Sequence, residues 1–116
     1  MMERKRDCRE LIEVCRGLGP RPRFPVYMGE ELLETPIEDL ELSVRSFNCL
    51  RRAGMVTVGD IVQNIDNRDD LLKIRNLGMR SADEIMRAIR EYQFSILPEG
   101  MRQKYLDRIV ELNRPD

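Results

Sequence analysis

At Thr35, Ser43, Thr57 and Asn67 the sequence sets a short oxygen-bearing side chain just ahead of an apolar run, and at Gly54 and Gly78 it sets a glycine between such runs. These are start and stop signals for helices. A Ser, Thr or Asn oxygen accepts from an amide that the first helical turn leaves unpaired, and Gly54 can enter the left-handed conformation that ends a helix, while Gly78 precedes the next one. Signals this closely spaced permit only short helices. No period-2 run of β-branched residues bounded by hairpin turns occurs, so a sheet has nothing to stand on. The pattern predicts an all-α fold: a compact bundle of short helices, flanked by further helices at the N- and C-terminal ends.

The signals place the elements one by one. Thr35-Pro36 followed by Glu38 and Asp39 reads as a brief capped turn, with proline at the first helical position and acids near the positive end of the dipole. Ser43 opens a helix that runs through Leu50 and Ala53 and stops at Gly54. Thr57 caps "VGDIVQNI" with Asp60 in the capping-box position, and Asn67 caps "RDDLLKI" in the same manner with Asp70. After Gly78, Ala82, Ile85, Met86 and Ile89 repeat at i, i+3, i+4 and i+7, the strongest helical stripe in the sequence, with its core reading to match.

The flanks differ in character. Glu3 to Arg16 carries Cys8, Leu11, Ile12 and Cys15 at helical spacing, then runs into "GLGPRPRFPVYMG", where proline and glycine favour an extended linker. A boundary near residue 35 follows. After Ile96, Pro98 stands at the first position of a further helix striped by Met101, Tyr105, Ile109 and Leu112, with Leu106 and Val110 beside them. The expected organisation is a helix and linker over residues 1–34, a domain over 35–97 and an amphipathic helix over 98–116. Isolated helices of this length are marginal in water, so the two outer stripes pack on the domain, on each other or on a partner; the stripes alone do not choose.

A length of 116 residues suits one small domain with extensions. Hydrophobic residues at 41% and charged residues at 35% exclude both a disordered protein and a membrane protein, and no apolar run approaches the roughly 20 residues of a bilayer span. The basic start lacks the apolar core of a secretory signal, which points to a cytoplasmic protein. Cys8, Cys15 and Cys49 form no metal-type spacing, and the sequence has no histidine, so neither metal nor cofactor is expected. Cys8 and Cys15, two turns apart on one helix, are roughly 10 Å apart along its axis and too far for a disulfide. Reduced thiols fit. Without histidine, and without a catalytic constellation of another kind, an enzyme is disfavoured. The net charge of −1 is balanced along the sequence with no basic tail, so any contact with nucleic acid must be local.

Two stretches, "LRRAGMVTVGDI" and "LKIRNLGMRSADEI", share a plan: leucine, a few residues, glycine, then a helix. This is the look of a helix-hairpin-helix. A glycine there lets backbone approach a ligand, and the open amides beyond it can hold a phosphate, with Arg80 adding charge and Ser81 a hydroxyl. Taken singly the residues also have plain readings. "NLGMRS" serves as an ordinary interhelical turn, Arg45 as a solvated surface arginine, Cys49 as a small core residue, and Asn48 either bonds locally or reaches outward.

The stretch from Thr35 to Ile89, which contains "LELSVRSFNCL" and "NLGMRSADEI" in order, closely resembles the C-terminal domain of the bacterial RNA polymerase alpha subunit. The resemblance covers about half the sequence. It implies a compact helical unit built on helix-hairpin-helix elements that binds the minor groove of A/T-rich double-stranded DNA upstream of promoters. Carried over by position, it gives Arg45 to the minor groove, Asn48 and Cys49 to backbone and groove contact, and Gly78, Arg80 and Ser81 to a phosphate site. Glu84 matches a polar, structural position near the DNA. Glu38, Asp39 and Glu41 match an acidic face that meets sigma factor region 4. The sequence departs from the family at Met79, where a lysine is usual, and at Phe47, which is bulkier than the residue in some members. Residues 1–34 bear no likeness to the family's assembly domain, which implies that the protein does not build a polymerase by the usual route. The implied function is a non-catalytic DNA-binding module acting with RNA polymerase or transcription activators. The alternative is a protein-interaction module with little DNA affinity that docks a sigma factor, an activator or another copy of itself through the acidic face or the flanking helices. An enzymatic reading by analogy with DNA-repair proteins, which grip DNA with the same hairpins, has no catalytic group to rest on.

Overall fold

The computed structural model describes residues 8–65 and 67–115. The elements, in order, are α1 (Arg9–Arg16), α2 (Glu30–Glu34), a 3₁₀ turn (Ile37–Leu40), α3 (Val44–Arg52), α4 (Val58–Asn64), α5 (Arg68–Leu71), α6 (Met79–Ile96) and α7 (Glu99–Leu112). The fold is all-α, with no strand among the described residues; the one sheet-like feature there is an isolated bridge between Pro36 and Thr57. The protein divides into two compact units. One is Val26–Ile89; the other combines Met1–Pro25 with Arg90–Asp116.

In the unit Val26–Ile89 the caps act as local chemistry dictates. Ser43 caps α3 by accepting the Ser46 amide, and the helix ends at Ala53 ahead of Gly54, whose φ of 86° is left-handed. Thr57 and Asp60 form a reciprocal capping box on α4. Asn67 accepts the Asp70 amide at the start of α5. Thr35 behaves differently from the expected cap. Its hydroxyl turns back to donate to the Glu31 carbonyl at 2.7 Å, closing α2, while Pro36 takes the cap position of the 3₁₀ turn. The stretch read as the end of a linker thus holds a short helix, α2. It lies so near α4 that a Cβ at Gly59 would stand 2.5 Å from the Leu33 carbonyl oxygen, and that close approach is what the glycine permits. The buried apolar residues of this unit include Leu32, Ile37, Leu40, Leu50, Val58, Ile61, Leu71, Ala82, Ile85 and Ile89, while Met86 is only half-buried.

In the other unit the two outer stripes are satisfied within the protein. Cys8, Leu11 and Cys15 pack in one cluster with Phe94, Tyr105, Leu106 and Ile109, so α1 and α7 close around the last two turns of α6. Ile12, placed on the stripe by spacing, instead points outward at 46% exposure, and Met101 and Val110 are also exposed. The part of the first stripe from Glu3 to Asp7 lies outside the described residues. Pro98 is the residue before the first turn of α7 rather than its first member. All three cysteines are buried, and none is in a disulfide among the described residues; burial pushes the Cys15 thiol up, against the opposing pull of Arg90.

The proline-rich segment is extended but not loose. The Asn113 side chain receives the Arg23 amide and donates to the Arg23 carbonyl, each at 2.8 Å. Gln93, 1% exposed, donates to the Pro25 carbonyl at 2.7 Å and to the Tyr105 hydroxyl at 2.9 Å. Two side-chain amides thus stand in for the ladder partner that an extended segment lacks.

Candidate nucleic-acid interface

The site is built on α3 and the start of α6. On α3, Arg45 and Asn48 are exposed and, three residues apart, share one face of the helix. Arg45 enters no ion pair among the described residues. Cys49, next to them, is 4% exposed, and its thiol donates to the Asn76 carbonyl at 3.5 Å. That bond seats the turn before α6 against α3. Asn76, with φ of 66°, holds the left-handed position of the turn; Gly78 does not, and a Cβ at Gly78 would meet open space. The backbone at Gly78 is exposed, as is Arg80, whereas Ser81 is buried under the first turn of α6.

Glu84 connects the two elements. One turn into α6, its carboxylate accepts the Ser43 amide at 2.6 Å, the Ser43 hydroxyl at 2.8 Å and, more closely still, the Ser46 hydroxyl. Ser46 is fully buried. Burial by itself raises the Glu84 carboxyl, but the hydrogen bonds from Ser46 and Ser43 and the charge of Arg87 outweigh it and hold the group below the usual glutamate range. A carboxylate at the amino end of α3 also meets the positive end of that helix dipole. The anion that occupies the first turn of α3 is therefore the protein's own. Arg45 stands beside it, oriented by a helix whose first turn is tied down.

Structure sorts the residues singled out by sequence into two layers. Arg45, Asn48, Gly78 and Arg80 are on the surface; Cys49 and Ser81 lie beneath it, and Glu84 is half-buried and engaged. Two further arginines that sequence reasoning misses belong to the same neighbourhood: Arg52, on the Arg45 face by helical spacing, and Arg75, next to Asn76. The signal for Arg52 is its place seven residues after Arg45. Of the acidic residues, Glu38, Asp39 and Glu41 are all exposed; Glu38 lies 3.7 Å from Arg51, and Glu41 adopts a left-handed conformation at the end of the 3₁₀ turn. Among the described residues no group of histidines, cysteines or acids is arranged to hold a metal.

A short arginine-bearing helix, α3, braced by a carboxylate from α6, defines a small helical module. The family of the C-terminal domain of the bacterial RNA polymerase alpha subunit matches residues 28–91, and the protein belongs to that family. Among curated proteins, the DNA-directed RNA polymerase subunit alpha of Carboxydothermus hydrogenoformans is 47% identical over 70 residues, 60% of this sequence and 22% of that protein. The subunit from Desulforudis audaxviator is 51% identical over 61 residues, covering 53% and 19%, and that from Bifidobacterium longum 40% over 99 residues, covering 81% and 28%. The match thus spans about a fifth to a quarter of the length of these relatives. No solved structure matches it. The family is a non-catalytic part of the polymerase and, at that level, a DNA-binding and interaction module. Among the described residues no helix is long and apolar enough to cross a membrane.

Proposed function

We propose that the unit Val26–Ile89 binds double-stranded DNA through the minor groove of A/T-rich segments, Arg45 entering the groove and Asn48 reaching its edge, without chemistry of its own. The observation that carries this reading is the exposed Arg45, outside any ion pair among the described residues, on a helix whose first turn is braced by Glu84. Narrow A-tract grooves concentrate negative potential and attract an inserted guanidinium, while contacts to the flanking phosphates fix register. Backbone at Gly78 and the Arg80 side chain lie at the exposed start of α6, where a phosphate would meet them. Cys49, Ser81 and Glu84 act from beneath, by holding that surface in place. The setting is the bacterial cytoplasm, at promoters and alongside RNA polymerase.

A second reading makes the unit a protein-docking module for a sigma factor or an activator, and the exposed acids Glu38, Asp39 and Glu41 favour it. Fluorescence anisotropy separates the two. An A-tract duplex and a G/C duplex are titrated with the native protein and with Arg45→Ala at two salt concentrations. The groove reading expects a preference for the A-tract that the variant loses. Equal binding of both duplexes, or none, leaves the docking reading in its place.

A further inference from the structure

We propose that Arg52 and Arg75 are phosphate-binding residues that widen the DNA face beyond Arg45; the proposal rests on the DNA-binding reading above. Arg45, Asn48 and Arg52 fall at i, i+3 and i+7 of α3, so they share one face, and all three are exposed. The neighbouring Arg51 projects elsewhere: its guanidinium lies 5.8 Å from the Phe47 ring centre and 3.7 Å from the Glu38 carboxylate. Of two adjacent arginines, one is engaged within the fold and the other is open.

Arg75 reaches the same place by a different route. It precedes Asn76, whose carbonyl receives the Cys49 thiol, and Cys49 is flanked along the helix by Asn48 on one side and by Arg52 one turn on. The turn that bears Arg75 is therefore seated against α3 at the level of the stripe. Arg75 is exposed, and neither it nor Arg52 enters an ion pair among the described residues.

Three acids of the same unit are already engaged. Asp83 is held by Arg68, Asp70 lies 3.3 Å from Lys73, and Glu84 is enclosed by Ser43 and Ser46 with Arg87 facing it. Among the described residues, Arg45, Arg52, Arg75 and Arg80 are not neutralised in this way. A protein of net charge −1 thus carries a locally positive edge, and the lysine absent at residue 79 is replaced by charge from other positions. Seven residues of helix separate the Arg45 and Arg52 backbones by about 10 Å along the axis, a span over which the two side chains can contact different phosphates. Contacts of this kind add affinity and salt dependence without adding sequence preference.

The test uses the 116-residue chain and the same two duplexes, with binding constants measured across a salt series. Removing one phosphate contact lowers the slope of log K against log salt by about 0.9. Arg52→Ala and Arg75→Ala are each expected to lower it by that amount while keeping the A-tract preference, and Arg51→Ala to leave it unchanged; far-UV circular dichroism verifies folding, with Arg52→Gln or Arg75→Gln replacing an alanine variant that fails. Unchanged slopes in Arg52→Ala and Arg75→Ala, beside an Arg45-dependent A-tract preference in the native protein, overturn the proposal and leave the groove reading standing. A change in one alone overturns it for the other. Loss of tract preference in either variant overturns a phosphate role, and a native protein that binds neither duplex overturns both the proposal and the reading beneath it.

Discussion

Ser43 and Glu84, 41 residues apart, meet twice: the Ser43 amide and hydroxyl both donate to the Glu84 carboxylate, at 2.6 and 2.8 Å. The same serine caps α3 through its oxygen, so one residue both opens the helix and fastens it to α6. Arg45 is the second residue of that helix. Its position relative to the start of α6 is thereby set by hydrogen bonds and not by packing alone, which suits the groove contact proposed for it.

Replacing Glu84 with glutamine keeps the volume and removes the charge. The Ser43 and Ser46 hydroxyls then face a weaker acceptor, and the amide nitrogen of glutamine has no acceptor in the α3 amide. Hydrogen bonds to charged groups contribute roughly 1.5 to 3 kcal/mol when buried, and with Glu84 half-buried a loss of about 1 to 2 kcal/mol is expected. Urea unfolding measures it. On DNA, the variant weakens A-tract binding with the salt slope unchanged, because no phosphate contact is removed.

The same carboxylate makes stability depend on acid. Its folded value lies below the unfolded one, so its contribution is complete above the ordinary glutamate range and disappears as pH falls through the lowered value. Asp60 shifts in the same direction through the amides of Val56 and Thr57, and its contribution is likewise lost on acidification. The urea midpoint of the native protein is therefore flat near neutrality and falls steeply in the acid range. Glu84→Gln flattens part of that fall and leaves the part due to Asp60.

The elements that sequence reveals here are those governed by neighbours. Ser43, Thr57 with Asp60, and Asn67 each bond an amide three residues away, so their chemistry is written locally. What stays hidden depends on distant partners. The helix α2 forms where linker was expected because Gly59, far along the sequence, leaves space for it, and Thr35 caps backwards because the Glu31 carbonyl is there to receive it. The left-handed residue before α6 is Asn76 and not the nearby glycine, and its carbonyl is the one that receives the Cys49 thiol. The outer stripes could have found a partner protein; their pairing around Phe94 and Tyr105 depends on complementary volume that no periodicity encodes. For the interface, spacing and resemblance together named the surface arginines Arg45 and Arg80, while the Ser46 and Glu84 bond, spanning 38 residues, is visible only in three dimensions.

Gly59 and Gly100 respond to alanine with opposite signs. Both are helical, and alanine is favoured over glycine inside a helix by up to about 1 kcal/mol. At Gly100 a Cβ meets nothing within 4 Å, so the substitution stabilises slightly. At Gly59 it meets the Leu33 carbonyl oxygen at 2.5 Å, a backbone atom that moves only if α2 moves. Overpacking of this kind costs about 1 to 3 kcal/mol, which exceeds the gain in helix propensity. Thermal melts of the two variants are expected to shift in opposite directions, down for Gly59→Ala and up for Gly100→Ala.

Asn113→Ala tests whether the proline-rich segment is held or merely near. The asparagine supplies both a donor and an acceptor to Arg23, and its loss leaves those backbone groups to water. Pro22 blocks tryptic cleavage after Arg21, so the informative bond is Arg23–Phe24, which a protease reaches only when the segment lifts and Phe24 leaves the cluster around Phe94. Because cleavage follows the population of the open form when opening is fast, removing a clasp worth about 1 to 2 kcal/mol raises the rate at that bond roughly 5- to 30-fold. Cleavage after Arg45, on the folded unit Val26–Ile89, serves as the internal reference and is expected not to change. Equal rates at Arg23 in the native protein and the variant would show that Gln93 and the buried Pro22 hold the segment without Asn113.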